Sequence, residues 1–333
     1  MSDLKNVLII GAGSIGHRHL RCFQATGRVR LSLCEVNPAL RQQIAAQYDV
    51  RDTFADLDSA LSRRHDAAVI ATPANLHIGM ATRLAGQGVH LLIEKPLSTG
   101  LEGLDTLRAT IEQHRVAAAV AYVLRNHPVM QGMKQALDSG RFGRPVQWTS
   151  VSGQHFPTFR PAYREIYYRN HATGGGAIQD ALTHVVNLAE WFLGPADRVL
   201  ADAEHQVLEG VDVEDTVHLL ARHGRAMACY SLNQHQAANE MTATIVCEGG
   251  TLRLEMHRWR WRWVVRPNDP WNDELCPEME RDALFTAQAN AFLDCVEGRA
   301  GPVCSVAEGV QTLRVNLAAL ESVRTQTWQT IQR

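Results

Sequence analysis

Val7-Leu8-Ile9-Ile10-Gly11-Ala12-Gly13-Ser14-Ile15-Gly16 opens the chain with an apolar run that ends in a glycine-rich turn. The four apolar residues read as a buried strand, and residues 14–26 beyond the turn read as a helix. G-x-G-x-x-G between a strand and a helix is a dinucleotide fingerprint. Its first glycine makes the tight turn, the second lets backbone approach a pyrophosphate, and the third lets helix pack on strand. The pyrophosphate then lies on the helix N-terminus, where free N–H groups and the dipole favour an anion. Gly11, Gly13, Ser14, Ile15 and Gly16 are therefore candidate cofactor contacts. Glu35 ends the next apolar stretch, Val29 to Cys34, about 20 residues further on. A carboxylate there accepts from both ribose hydroxyls and repels a 2′-phosphate, which predicts NAD rather than NADP. Arg30 and Arg41 are nearby, but Val36 stands directly after the acid.

The alternation continues. A helix over 38–47 is followed by buried strands at Ala67 to Ala71 and Val89 to Ile93, with a helix over 76–86 between them and another strand at Ala117 to Val123. Strands alternating with helices imply βαβ units and a parallel sheet. The pattern then changes. A helix over 128–138 and a strand at Val146 to Val151 lead into a loop rich in aromatic residues and arginines. After Gly174-Gly175-Gly176 comes a strong helix to about Leu193. Five short strands follow without intervening helices: 199–208, 215–221, 226–232, 242–247 and 251–265, the last broken. Such a run indicates an antiparallel sheet. Residues 267–280, with three prolines, read as a loop, and helices over 282–297 and 306–325 close the chain. The fold class is α/β: a Rossmann domain over 1–123, and an α+β domain over 124–333 on a large, mostly antiparallel open sheet. The last helix is free to return to the first domain.

Composition sets bounds on the function. A length of 333 residues fits two domains, and Lys+Arg 33 against Asp+Glu 35 gives a net charge of −2. That balance exerts no overall pull on nucleic acid or an anionic membrane. No apolar stretch approaches a membrane span. Met1-Ser2-Asp3-Leu4-Lys5-Asn6 runs directly into the first strand, which reads as leaving no room for a signal peptide. Seven scattered cysteines with no C-x-x-C pair read as reduced thiols in a cytoplasm, neither a disulfide frame nor a metal site.

Three further stretches carry chemistry. Glu94-Lys95-Pro96 closes the strand at Val89 to Ile93. A lysine at the C-terminal end of a parallel strand sits where α/β sheets bind ligands. There it serves as a point charge, a hydrogen-bond donor or a proton carrier, unless it is an ordinary solvated loop lysine. Ala71-Thr72-Pro73-Ala74-Asn75-Leu76-His77 follows another buried strand and is placed to pass the nicotinamide side of the cofactor. His77 there either caps the next helix, contacts the ribose, or is a satisfied surface residue. Asp180 and His184, four apart on the helix after the glycines, share a face, and Asn187 lies on it too. A carboxylate beside an imidazole orients the ring and stabilises the imidazolium once a proton arrives. Oxidation of an alcohol needs such a base for the hydroxyl proton.

Taken together these residues resemble the glucose–fructose oxidoreductase / inositol dehydrogenase family, Gfo/Idh/MocA, over nearly the whole chain. Its motifs stand in order: Gly11-x-Gly13-x-x-Gly16, Thr72-Pro73-x-x-x-His77, Glu94-Lys95-Pro96, and the glycine-rich entry to Asp180-x-x-x-His184. The resemblance implies that Thr72, Pro73, Asn75, His77, Glu94 and Lys95 line the cofactor. It implies that Lys95 hydrogen-bonds the reacting hydroxyl, that His184 is the general acid/base, and that Asp180 binds substrate and supports His184. It also implies a cis Lys95–Pro96 bond, and a homodimer or homotetramer assembled through the C-terminal sheet. Two positions depart from the family pattern. Leu182 stands where a glycine is frequent, and Asn187 where an aspartate is. The expected activity is NAD-dependent oxidation of a secondary hydroxyl of a sugar, sugar acid or cyclitol. An NAD-retaining glycoside hydrolase is the alternative, since such enzymes dispense with paired carboxylates. A non-catalytic NAD(H) or sugar sensor is disfavoured by the joint presence of Lys95, Asp180 and His184.

Other polar groups are candidate substrate contacts. The loop Tyr163-Arg164-Glu165-Ile166-Tyr167-Tyr168-Arg169-Asn170 offers phenols, guanidiniums and an amide. From it Tyr163 and Tyr168 are selected, together with Arg125, His155, Asp180 and Asn187. Arg258-Trp259-Arg260-Trp261-Arg262-Trp263 alternates with period two, which predicts a strand with three Trp on one face and three Arg on the other. It reads as a sheet with an aromatic interface face, or as an anion site. Nucleic acid is disfavoured by the net charge.

Overall fold

A computed structural model describes residues 4–332, so Met1–Asp3 and the N-terminal reading that rests on them lie outside the described residues. The chain divides into two compact units. The first holds the described residues up to Asn126 together with Met279–Gly309, the second His127–Glu278 together with residues 310–332. The first unit is therefore discontinuous, and the segment that returns to it is Met279–Gly309 rather than the last helix that the sequence left free to return.

In the first unit the strands are β1 (Lys5–Ile10), β2 (Val29–Cys34), β3 (Asp52–Phe54), β4 (Ala67–Ile70), β5 (His90–Ile93) and β6 (Ala118–Val120). The helices are α1 (Ser14–Ala25), α2 (Pro38–Tyr48), α3 (Leu57–Leu61), α4 (His77–Ala85), α5 (Leu104–His114) and, from the returning segment, α9 (Arg281–Val296). Among the described residues the strands form one parallel sheet in the order β3-β2-β1-β4-β5-β6. This is the doubly wound Rossmann order, and its direction reverses between β1 and β4. The apolar runs of β1, β4 and β5 are buried on both faces, as a covered parallel sheet requires. Helix α9 completes this core: Ala289, Phe292 and Leu293 join Val7, Ile9, Leu20 and Phe23 in one apolar cluster. Arg18 and Arg21 of α1 pair with Asp282 at the start of α9, and Arg28 pairs with Asp294 and Glu297 near its end.

The second unit contains α6 (Pro128–Asp138), α7 (Phe156–Phe159), α8 (Thr183–Leu193) and the body of α10 (Val306–Thr325). Its strands are β7 (Pro145–Gly153), β8 (Arg198–Glu204), β9 (Thr216–His223), β10 (Ala226–Asn233), β11 (Glu240–Cys247), β12 (Gly250–Glu255), β13 (Arg260–Val264), β14 (Asn272–Leu275) and β15 (Gln329–Thr330). Among the described residues they make one open sheet, β14-β13-β12-β11-β7-β10-β9-β8-β15. Neighbours are antiparallel except β7 and β10, which run parallel. Alternating burial along β9, β10 and β11 shows one covered face. Trp148 of β7 is buried there beside Phe192 of α8 and Tyr230 of β10.

Two expectations are corrected. Residues 267–280 are not wholly loop, because Asn272–Leu275 forms edge strand β14, whose polar sequence carries no apolar alternation. The Arg/Trp stretch is not one strand. Arg258 ends a 3₁₀ turn, Trp259 has φ +50° and stacks on His127, and β13 starts at Arg260. Trp261 is buried against Gly132 of α6, while Trp263 lies under Arg141. Arg260 and Arg262 are neutralised by Glu255 and Asp273, so they do not form a free anion site.

Just before β9, Asp215 is 0% exposed, and its carboxylate accepts the backbone N–H groups of Gln206, Val207 and Leu208 and the hydroxyl of Thr216. Asp215→Ala leaves these donors buried without an acceptor. A loss of about 3 kcal/mol of unfolding free energy is expected by urea titration, since orphaned buried donors carry their full desolvation cost.

Candidate active site

The candidate cofactor residues lie on the carboxyl edge of the parallel sheet. Gly11 has φ +89°, and a Cβ there would lie 2.8 Å from the Ala71 carbonyl oxygen. A Cβ on Gly16 would lie 1.9 Å from the Gly11 oxygen. These two glycines permit the close packing of α1 on the sheet. Gly13 differs, because its Cβ position has nothing within 4 Å. It is the N-cap of α1, no side chain caps the helix, and the first turn carries no acid. Open space beside uncapped helix N–H groups fits a dinucleotide pyrophosphate. Glu35 accepts the backbone N–H of Ala12 at 2.7 Å through one carboxylate oxygen and that of Asn37 at 2.8 Å through the other. Both oxygens keep a second lone pair for ribose hydroxyls. The donor set therefore fits the expected group.

Thr72, Pro73 and Asn75 follow β4, with Pro73 and Asn75 exposed. His77 does not join them. It is 1% exposed, with Nε2 2.8 Å from the Thr72 carbonyl and Nδ1 3.2 Å from that of Pro96. It is neither a helix cap nor a surface residue but a bridge between two loops. Burial pushes its pKa down, while the facing carbonyls of Thr72 and Pro96 and the Glu94 charge act the other way. Glu94 is likewise turned inward. It is 5% exposed, bonded to His19 Nε2 at 2.6 Å, and accepts the backbone N–H of Lys95 at 3.0 Å. Burial by itself would raise its pKa. The His19 hydrogen bond and charge, then Lys95, hold it below the usual glutamate range. A buried carboxylate without such partners costs several kcal/mol. Lys95 follows directly, and its bond to Pro96 is cis. Arg125, placed among substrate contacts from the sequence, is 2% exposed and bonds Val303 and Glu308 within the first unit.

The second unit carries the Asp180–His184 pair. Residues Ile178–Leu182 form a π-helical turn that passes into α8, and single π turns recur at functional sites. Asp180 lies in that turn and His184 at the start of α8. The glycines before them have specific tasks. A Cβ on Gly175 would lie 2.0 Å from the Tyr168 carbonyl oxygen. Gly176, at φ +85°, would clash with Glu214. Glu214 is buried and anchors the turn: its carboxylate accepts the N–H of Ile178 at 2.9 Å, and its carbonyl accepts that of Ala177 at 2.9 Å. Its other carboxylate oxygen is 2.5 Å from His171 Nε2. Tyr167, exposed in the preceding loop, donates its hydroxyl to Asp180 at 2.7 Å.

Sequence reasoning selected the neighbours of Tyr167 instead. Tyr163 and Tyr168 are buried in a small apolar cluster with Phe156 and Leu208. Tyr163 donates to the Glu209 carbonyl and Tyr168 to Gln234. Asn187 is buried and donates to Thr312 of α10 at 3.0 Å. Each of the three is buried and makes a hydrogen bond inside the unit. His155 pairs with Thr158 at 2.8 Å. Tyr167, His171 and Glu214 went unselected because they lie in irregular segments, where no periodicity shows which side faces Asp180.

A doubly wound sheet with this glycine turn, and an acid at the end of β2, defines a dinucleotide-binding oxidoreductase scaffold. The chain belongs to the GFO/IDH/MocA oxidoreductase family. Residues 5–122 match its NAD-binding Rossmann domain and residues 130–253 match its C-terminal domain. UDP-N-acetylglucosamine 3-dehydrogenase of Acidithiobacillus ferrooxidans is 26% identical, with 94% of each chain covered. Levoglucosan dehydrogenase of Pseudarthrobacter phenanthrenivorans is 26% identical over 59% of this chain, which spans 53% of that protein. A solved levoglucosan dehydrogenase in complex with NADH and levoglucosan superposes with a TM-score of 0.90 at 20% identity, covering 100% of both chains.

The two kinds of glycine separate by substitution. Gly16→Ala meets backbone and is expected to cost about 3 kcal/mol in stability. Gly13→Ala is expected to keep its Tm while weakening NADH binding at least tenfold by fluorescence titration. The His171–Glu214 contact has a pH signature. The hydrogen bond to Glu214 raises the His171 pKa, against the effect of burial. Its stabilisation is therefore fully present below about pH 6.5 and lost as pH rises through the raised value. Hydrogen exchange of residues 166–174, corrected for intrinsic rate, should accelerate across that window. In His171→Gln that acceleration should be absent.

Proposed function

We propose that this protein is an NAD-dependent dehydrogenase that oxidises a secondary hydroxyl of a sugar, sugar acid or cyclitol. The observation that carries the reading is the Asp180–His184 pair, presented by a Glu214-anchored turn on a chain that also has an NAD-type fingerprint. Gly11, Gly13, Ser14, Ile15 and Gly16 would hold the pyrophosphate and Glu35 a ribose, with Thr72, Pro73, Asn75 and Lys95 on the nicotinamide side. Bound NAD+ would supply the hydride acceptor.

The chain's own groups handle the proton. Lys95 donates a hydrogen bond to the substrate hydroxyl oxygen and stabilises it as its proton leaves. His184 accepts that proton as general base. Asp180 steadies the resulting imidazolium, and Tyr167 fixes one oxygen of Asp180 so that the carboxylate keeps one orientation. The names of the similar proteins support a cyclic polyol or sugar as substrate. We further propose a homodimer or homotetramer assembled through the open face of the nine-stranded sheet, where Val151, Leu220 and Met227 are exposed. Seven free cysteines fit a reducing cytoplasm, and no helix among the described residues is long and apolar enough to cross a membrane.

A panel of sugars, sugar acids and inositols with NAD, read as NADH absorbance, tests the reading. At least one should give turnover, with kcat/KM for NAD above that for NADP. Lys95→Met and His184→Ala should each lower kcat by about 10²-fold or more, the usual worth of a positioned acid/base group, while NADH binding persists. Wild-type rates in both variants would sink the assignment.

A further inference from the structure

We propose that His19 is a positioning residue for Lys95, acting through Glu94, and that His77 holds the same loop from its other side. This inference rests on the catalytic role given to Lys95 above.

The chain of contacts is short and lies wholly within the first unit. His19 is on α1, one turn beyond Gly16, and is 1% exposed. Its ring lies between Phe23 of α1 and Phe285 of α9, at centroid distances of 6.3 and 5.9 Å. In that dry setting its Nε2 meets one oxygen of the Glu94 carboxylate, and the second oxygen accepts the backbone N–H of Lys95. The Glu94 carboxylate thus spends one oxygen on an outside anchor and the other on the residue whose position matters. The Glu94 N–H continues the sheet ladder to the Ile70 carbonyl at 3.0 Å. Beyond Lys95, the Pro96 carbonyl is held by His77, which also reaches Thr72. The backbone of Lys95 is therefore fixed on both sides, by groups that are themselves buried.

Such fixing matters because a lysine has a flexible four-carbon stem. The Lys95 backbone is the part the fold can hold still. A displacement of about 1 Å at a reacting group can cost on the order of 10²-fold in rate. Without His19, the Glu94 carboxylate has no buried partner for its first oxygen. It must protonate, turn toward water or draw in a solvent molecule, and each response alters its bond to Lys95 N–H. The fingerprint helix then does two things with one packing arrangement: its N-terminus faces the cofactor, and its next turn sets the lysine.

The test compares His19→Leu, His19→Gln, Glu94→Gln and Lys95→Met in the full-length protein, using the best substrate of the panel. Expected for His19→Leu and Glu94→Gln is a fall in kcat of about 10- to 100-fold, with NADH Kd within about threefold of wild type. His19→Gln keeps an N–H within reach of Glu94 and should recover most of the loss. In a Lys95→Met background, His19→Leu should lower kcat no further. In cofactor-free protein, hydrogen exchange of the 94–98 backbone should speed up in His19→Leu. If His19→Leu does not fold, the near-isosteric Glu94→Gln decides by the same readouts. Wild-type kcat in both His19→Leu and Glu94→Gln, with Lys95→Met inactive, overturns the brace and leaves the reaction standing. Wild-type kcat in Lys95→Met overturns the reaction assignment and the brace with it.

Discussion

The first unit depends on how closely α1 approaches the β1 turn. Because residue 16 has no side chain, the helix can begin directly against the Gly11 carbonyl, and Gly11 in turn against Ala71 at the end of β4. That distance sets the rest. It puts the uncapped end of α1 at the edge where the strand order reverses, and it places His19 at the depth of Glu94. It also brings Phe23 into the apolar cluster that Phe292 of α9 completes. A wider turn would misplace all three at once. The glycine fingerprint is thus as much a packing rule as a binding rule.

The second unit solves a different problem with the same means. Asp180 and His184 need a fixed helix start, and a helix start leaves N–H groups without partners. Glu214 supplies acceptors from both its side chain and its main chain, and Gly175 and Gly176 make room for the approach. Asp215, next in sequence, uses its carboxylate on the loop at 206–208. Two adjacent acids therefore secure separate segments, one the turn that carries Asp180 and the other the loop at 206–208. Tyr167 joins the former through Asp180.

The sequence made the Rossmann half legible because its signals are local. Apolar runs of fixed length, glycines at fixed offsets and an acid after β2 each report on their own neighbourhood. The order of short strands after residue 199 was legible for the same reason. What escaped was set by tertiary contact. The tyrosines of the 163–170 loop have no period, so nothing local shows that Tyr168 turns inward while Tyr167 turns to Asp180. Glu94 and His77 were expected beside the cofactor because the family motif contains them. Their burial, 5% and 1% exposed, was not visible in the motif. The polar edge strand β14 was hidden because its pairing, and not its composition, makes it a strand. Asn187 was expected on the reactive face of its helix, but α10, more than a hundred residues later, claims it.

The return of α9 to the first unit has a consequence for synthesis. A ribosome that has released residues 1–126 has made every strand of the parallel sheet, yet the apolar patch around Leu20 and Phe23 still faces water. Its cover, Phe292 and Leu293, emerges only after the strands of the second unit from β7 to β14. The nascent first unit must persist incomplete for roughly 165 residues of elongation, about 8 to 33 seconds at ordinary translation rates. During that interval the second unit's sheet strands are synthesised while the apolar patch of the first unit lacks its cover.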